Sequence, residues 1–229
     1  MRALRIASYN VHGGVGMDRR FSPQRIARVL REIDADVVAL QELRSFDSGV
    51  NLLELLRDEL HCNALAGPTM RLPDGDFGNG LLSRFPIVAA RTLDLSIAGR
   101  EPRRAIDATL DVDGAALRVI ATHLGLRARE RHLQFERLLA AVPSGDGAPT
   151  LLLGDVNEWF AGRRALRRMH RHFGESPARA TFPAALPLLA LDRIWCSPEL
   201  TLRRVHAHRS RLARVASDHL PLVAQVAAR

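Results

Sequence analysis

The sequence predicts an α/β fold built around mixed β-sheet pairing, and three observations carry that prediction. Short, nearly continuous apolar runs recur along the chain: Leu4-Arg5-Ile6-Ala7, Val37-Val38-Ala39-Leu40, Val119-Ile120-Ala121 and Leu151-Leu152-Leu153. Runs of this length without polar alternation read as strands buried on both faces. Segments of helical period separate several of them. In the middle of the chain, Asp113-Gly114 between two β-type runs, 105–110 and 116–121, is a strong hairpin signal. Helix–strand alternation that also contains hairpins argues for mixed rather than purely parallel pairing.

Each element has its own justification. The first strand pattern leads at once into Ser8-Tyr9-Asn10. Residues 23–33 place Ile26, Val29, Leu30 and Ile33 on one helical face, with Ser22 as a suitable N-cap and Pro23 at the first helical position. Asp34-Ala35-Asp36 turns the chain into the second strand, and residues 51–60 form a second amphipathic helix through Leu52, Leu55, Leu56 and Leu60. The Gly/Asp/Pro-rich stretches 67–78 and 143–149 are expected to be loops. Residues 129–142 return to helical spacing through Leu133, Leu138, Leu139 and Val142, and 192–196, 202–206 and 220–226 read as late strands. There is no internal repeat or low-complexity segment, so 1–229 is read as one domain.

Composition bounds the function. At 229 residues and 47% hydrophobic content the chain has material for a sizeable core, and no apolar run approaches membrane-spanning length. The N-terminus shows no signal-peptide core, which predicts a cytoplasmic protein. The two cysteines, Cys62 and Cys196, have no metal-clip or redox spacing and are expected to be reduced. The formal net charge is +8, which admits an anionic partner. Yet the chain contains no lysine: all 33 basic residues are arginine, a bias that with abundant alanine also reads as a composition effect. The densest stretch, 163–172, puts Arg163, Arg167 and Arg171 along one helical face, either a solvated face or a phosphate-tracking stripe. Aromatic residues make up only 5% of the chain, a poor supply for stacking nucleobases.

The chemistry sits where the apolar runs stop. Polar strings follow them: Asn10, Gln41-Glu42, Thr122-His123, Gly154-Asp155-Val156-Asn157, Asp192-Arg193 and Ser217-Asp218-His219. Strand ends gathered at one sheet edge would make a pocket of carboxylates, amides and histidines, the donor inventory of a hydrolase that uses a hard cation. Taken singly, Gly-Asp-x-Asn is equally a turn stabilised by its own side chains, and His123 equally a core histidine bonded to backbone. His219, titrating near neutrality, is suited to proton transfer and needs a partner to fix its tautomer, for which Asp192 is the candidate.

In this order the strings resemble the endonuclease/exonuclease/phosphatase superfamily, which includes deoxyribonucleases, AP endonucleases, sphingomyelinases and inositol polyphosphate phosphatases. The matching segments are Ala7-Ser8-Tyr9-Asn10-Val11, Val38-Ala39-Leu40-Gln41-Glu42, Gly78-Asn79-Gly80, Ala121-Thr122-His123-Leu124, Leu153-Gly154-Asp155-Val156-Asn157, Leu191-Asp192-Arg193-Ile194 and Ser217-Asp218-His219-Leu220-Pro221. Thr181-Phe182-Pro183 ahead of Asp192 looks most like the small bacterial members. The resemblance implies a four-layer sandwich of two packed mixed β-sheets flanked by helices, and Mg²⁺-dependent phosphoester hydrolysis, with Mn²⁺ as the other candidate ion. It implies Glu42 as principal metal ligand with Asn10 and Asp218 beside it, His219 as base or proton carrier oriented by Asp192, and Asp155, Asn157 and His123 handling water and phosphate. Asn79 and Arg103 are further candidates for phosphate contact. The charge favours nucleic acid as substrate, cut by an endo- or exonuclease activity; a phospholipid or inositol-phosphate-like molecule is the alternative, and a non-catalytic nucleic-acid-binding module a third. No protein partner is implied.

Overall fold

The computed structural model describes residues 2–142, 147–160 and 164–229. In chain order the elements are β1 (Leu4–Asn10), α1 (Pro23–Ile33), β2 (Val37–Phe46), α2 (Leu52–Leu60), β3 (Asn63–Leu72), β4 (Gly75–Ser83), β5 (Ile87–Asp94), β6 (Arg104–Val112) and β7 (Ala115–His123). There follow α3 (Ala128–Ala141), β8 (Thr150–Asp155), α4 (Arg164–Phe173), β9 (Asp192–Cys196), β10 (Leu200–Ala207), α5 (Ala213–Ala216) and β11 (Leu222–Ala228). They form a six-stranded sheet ordered β10-β11-β1-β2-β4-β3 and a five-stranded sheet ordered β5-β6-β7-β8-β9. Both sheets are mixed: β1 pairs in parallel with β2 and antiparallel with β11, while β7 pairs in parallel with β8 and antiparallel with β6.

The continuous apolar runs are explained by the layering. Side chains alternate across a strand, and here both faces are buried. Ile6, Val37 and Ala39 of one sheet meet Val119, Ala121, Leu151 and Leu153 of the other in a central core. Their neighbours Ala7, Val38 and Leu40 point outward onto Ile26, Leu30, Leu52 and Leu56 of α1 and α2. On the opposite side Ile120, Leu152 and Trp195 pack on Phe135 and Leu138 of α3 and Leu166 and Met169 of α4. Helix, sheet, sheet and helix thus make the four layers.

The structure corrects the sequence reading in several places. Residues 67–78 are not a loop but most of a hairpin. Their glycines mark crowding: a Cβ on Gly67 would lie 2.5 Å from Ile106, and one on Gly78 2.4 Å from the Gly67 carbonyl oxygen. The edge strand β5, largely exposed, carries no buried pattern and escaped prediction. Ser22 occupies the N-cap position of α1 without a side-chain capping bond, whereas Asn51, read as the first residue of its helix, caps α2 through the Leu53 and Glu54 amides. Leu133 is exposed, because the buried face of α3 runs through Arg131, Gln134, Phe135 and Leu138. Arg163 and residues 143–146 lie outside the described residues. Among the described residues no helix is long and apolar enough to cross a membrane. Cys62 and Cys196 are free.

Away from the strand ends, Asp107 on β6 is buried and bound by Arg118, whose Nε and Nη2 donate at 2.7 Å, and by Arg91 Nε at 2.7 Å. Burial alone would raise its pKa; the two guanidinium groups outweigh that and hold it below the usual carboxylate value. A depressed folded-state pKa contributes stability that is complete above the ordinary carboxylate pKa and is lost as pH falls through the folded value. Asp107→Asn is therefore expected to lower stability near neutral pH by about 2 kcal/mol. It should also flatten the acid-side loss of Tm, as checked by thermal melting between neutral and acidic pH.

Candidate active site

Sheet register brings the polar strand ends into one row. In the five-stranded sheet His123 at the end of β7 pairs with Asp155 at the end of β8, and Asp155 pairs with Asp192 at the start of β9. The parallel pairing of β7 and β8 is tight at this edge: a Cβ on Gly154 would stand 1.9 Å from the Thr122 carbonyl oxygen, so only glycine fits. From the facing sheet, β1 delivers Asn10, β2 delivers Glu42 and the segment ahead of β11 delivers Asp218 and His219. Glu42 sits in a bulge between Leu40 and Leu43 with φ 58°, which breaks the strand alternation and turns its half-buried side chain out of the sheet.

The Asp155 carboxylate joins these groups. Its Oδ2 accepts from Asn10 Nδ2 at 3.2 Å and lies 3.6 Å from both His123 Nε2 and His219 Nε2; its Oδ1 accepts the Asn157 backbone N–H at 2.9 Å. Asn10 Nδ2 also donates to Glu42 Oε1 at 2.9 Å, while its Oδ1 accepts from the His12 N–H. The neutral amide therefore separates two carboxylates that would otherwise repel. Burial, then Asp192, push the Asp155 pKa up to about 6.

The two histidines are held in opposite states. His219 Nδ1 donates to Asp192 Oδ2 at 3.0 Å, and that oxygen also accepts from Thr181 Oγ1 at 2.6 Å. Burial would lower the His219 pKa, but Asp192, Asp155 and Asp218 together raise it to about 10. The Phe182 ring covers its imidazole at 4.9 Å between centroids. At His123, burial, Arg103 and His219 all push the pKa well below the ordinary value, so it is neutral. Arg103 Nη1 stands 3.0 Å from His123 Nδ1. A guanidinium and an amide nitrogen both donate, so the neutral ring faces a donor at each of its nitrogens. Asn157, at φ 53°, places its amide 3.2 Å from His123 Nε2 and donates to the Leu124 carbonyl at 3.0 Å.

The structure thus unites Asn10, Glu42, His123, Asp155, Asn157, Asp192 and His219 through direct contacts, and Arg103 joins through His123. Asp218 stands beside them: Ser217 Oγ bonds both its Oδ1 and the Asn10 carbonyl, at 3.3 and 2.8 Å. Asn79 lies opposite the Glu42 bulge, with its amide donating to the Arg104 carbonyl at 2.8 Å. Sequence reasoning placed Thr181 in a string ahead of Asp192 but not as a donor to it, and missed the buried pair Arg131–Glu158, at 2.9 Å, which fastens the loops after β7 and β8. The signal for Arg131 was its place on the Phe135/Leu138 face of α3.

The donor set suits a hard divalent cation: Glu42, Asp155 and Asp218 carboxylates and amides, with no thiolate among them. Among the described residues no three acidic, histidine or cysteine side chains converge into a closed cage. One or two carboxylates with water and substrate phosphate completing the shell is the usual arrangement for Mg²⁺.

Comparison with known proteins identifies the family. The model of the endonuclease/exonuclease/phosphatase family matches residues 7–219. The uncharacterized protein YbhP of Escherichia coli strain K12 is 30% identical over 245 aligned positions, covering 98% of this chain and 96% of YbhP. The endonuclease/exonuclease/phosphatase structure from Beutenbergia cavernae superposes with a TM-score of 0.81 at 22% identity, over all of this chain and 72% of that one. The human Nocturnin catalytic domain with bound sulfate superposes with a TM-score of 0.77 at 21% identity, over 99% and 94%. The chain belongs to the endonuclease/exonuclease/phosphatase family, and its class is that of the phosphoesterase-type hydrolases.

Gly154→Ala is expected to force β7 and β8 apart and cost about 2–3 kcal/mol, seen as a lowered Tm. An unchanged Tm would mean that the two strands are free to separate at this edge.

Proposed function

We propose that the protein is a Mg²⁺- or Mn²⁺-dependent phosphodiester hydrolase. Glu42 and Asp218, with Asn10 between the acidic groups, form the metal pole. Asp155, Asn157, His123, His219 and Asp192 form the phosphate and proton pole. The observation that carries the reading is Asp155 Oδ2, held 3.6 Å from the Nε2 atoms of one raised-pKa and one neutral histidine.

When bound, the cation supplies charge neutralisation at a phosphoryl oxygen. The chain's own groups do the rest. Asp155 accepts a proton from the attacking water, whose oxygen forms the new bond to phosphorus while the bond to the leaving oxygen breaks. His219 gives the Nε2 proton to that leaving oxygen, and Asp192 and Thr181 keep the ring aligned. The Asn157 amide donates to a phosphoryl oxygen without changing protonation state, and the neutral His123 ring stands beside it. Of the two roles the sequence left for His219, its raised pKa favours proton carrier over base.

The preference for nucleic acid rested on charge, and part of that charge is engaged within the molecule, as in Arg25–Asp18, Arg71–Asp47, Arg118–Asp107 and Arg131–Glu158. A panel of plasmid, abasic duplex, RNA, phospholipid vesicles and inositol phosphates separates the substrate classes. The assembled proton pole argues against a module that only binds.

Hydrolysis of an aryl phosphodiester with Mg²⁺ is expected to be abolished by EDTA, and His219→Ala to lower kcat by roughly 10²–10⁴-fold. Full activity in that variant would remove His219 from the reaction. The profile of kcat/KM should rise with pH as Asp155 deprotonates and fall as His219 deprotonates, with a bound cation drawing both limbs below their cation-free positions near 6 and 10. An acid limb that disappears in His219→Gln would reverse the two roles.

A further inference from the structure

The loops that surround this site carry exposed apolar side chains in two groups. On one side Leu186 and Leu188 are 67% and 70% exposed at the tip of a turn whose base is Phe182, the residue covering His219. Bonds from Leu186 N to the Pro183 carbonyl and from Leu188 N to the Phe182 carbonyl hold that tip. Arg214 Nη1 ties it to α5 through the Ala185 carbonyl, and Met17 N bonds the Val215 carbonyl, which adds exposed Val215 and Met17 to the same ridge. On the other side, Leu126 follows His123-Leu124-Gly125 and is 70% exposed, and Trp159 follows Asn157-Glu158 and is 41% exposed. Arg131 bonds the Leu126 carbonyl and lies 5.9 Å over the Trp159 ring, so these two belong to one ridge. Each ridge starts beside the candidate site, the first at Phe182 against His219 and the second in the segments that follow His123 and Asn157.

Exposed arginines stand beside the ridges: Arg19 and Arg20 beyond Met17, Arg127 and, in the first turn of α3, Arg129 beyond Leu126, and Arg211 before α5. The neighbouring acid Asp18 is already paired with Arg25. Apolar tips with cationic flanks match the boundary where lipid headgroups meet acyl chains, with tryptophan at headgroup depth and arginine attracted to anionic lipid. A polyanion such as a duplex offers phosphates but no apolar phase for four exposed aliphatic side chains to enter. A bilayer offers both, with its phosphodiesters at the level of the site.

We propose that this two-ridged rim docks on an anionic phospholipid surface, presenting a headgroup phosphodiester to the centre beneath it. The inference rests on the phosphodiesterase reading only for the chemical step, in which water adds across one P–O ester bond, its hydroxyl to phosphorus and its proton to the departing alcohol. The rim and the centre can be tested apart.

Flotation in EDTA reads the rim without turnover. The protein is expected to float with vesicles of phosphatidylcholine and phosphatidylglycerol, and weakly with phosphatidylcholine alone. The double variant Leu186→Ser/Leu188→Ser should lower the bound-to-free ratio by roughly tenfold or more. Leu126→Ser/Trp159→Ala should do the same from the opposite ridge, with circular dichroism checking that both variants fold. Undiminished flotation of both variants, absence of flotation, or tight binding to a duplex oligonucleotide in place of vesicles would each overturn the proposal. Flotation lost in the variants, without aryl phosphodiester turnover by the parent protein, would support the docking surface while counting against the catalytic reading.

Discussion

The active site depends on one buried carboxylate that is never left alone. Asp155 lies at the edge where the two sheets meet, and each of its oxygens is engaged or faced by a donor. An ionised carboxylate in such a place is costly unless donors surround it. Those donors come from strands far apart in the chain: Asn10 and His219 from the six-stranded sheet, His123 and Asn157 from the five-stranded one. The cost of burying one acid thus dictates what must stand around it, and those same neighbours make up the proposed phosphate-handling centre. Gly154, by admitting the Thr122 carbonyl, sets the strand spacing on which the row His123, Asp155, Asp192 depends.

Much of this was legible in the chain. Period-free apolar runs identified β1, β2, β7 and β8 because both faces of each are buried, and the polar residues ending them were readable as a group. Less legible were features whose cause is tertiary. The β3–β4 hairpin resembled a loop because its glycines answer to close contacts, Gly67 with Ile106 and Gly78 with the backbone of β3. β5 gave no pattern because it is an exposed edge. Thr181 was visible as part of a string but not as the second donor to Asp192, and Arg131 looked like one arginine among many until its burial against Glu158 appeared. Side-chain protonation was beyond sequence altogether: His123 and His219 are the same residue type in similar strings, and only their neighbours, a guanidinium for one and three carboxylates for the other, set them apart.

The lysine-free composition also acquires a physical reading. A guanidinium keeps its charge at any pH the fold survives and binds a carboxylate through two nitrogens at once. Arg118 uses that geometry on Asp107, Arg25 on Asp18 and Arg131 on Glu158. At His123 the permanent positive charge adds to burial in keeping the ring neutral. Arginine here serves to align groups, which tempers any inference from net charge alone.

The bond from Ser217 Oγ to the Asn10 carbonyl spans 207 positions of sequence and lies at the heart of the site. Protein synthesis releases the N-terminal part first. Asn10 and Glu42 are therefore made long before His219, and β11, which must insert between β10 and β1, follows that histidine. A chain grown through Glu42 holds one side of the candidate site without the groups that face it. The candidate site is accordingly a late product of folding: no local stretch near Asn10 can form it, and it closes only when the segment carrying Ser217 reaches back across the fold.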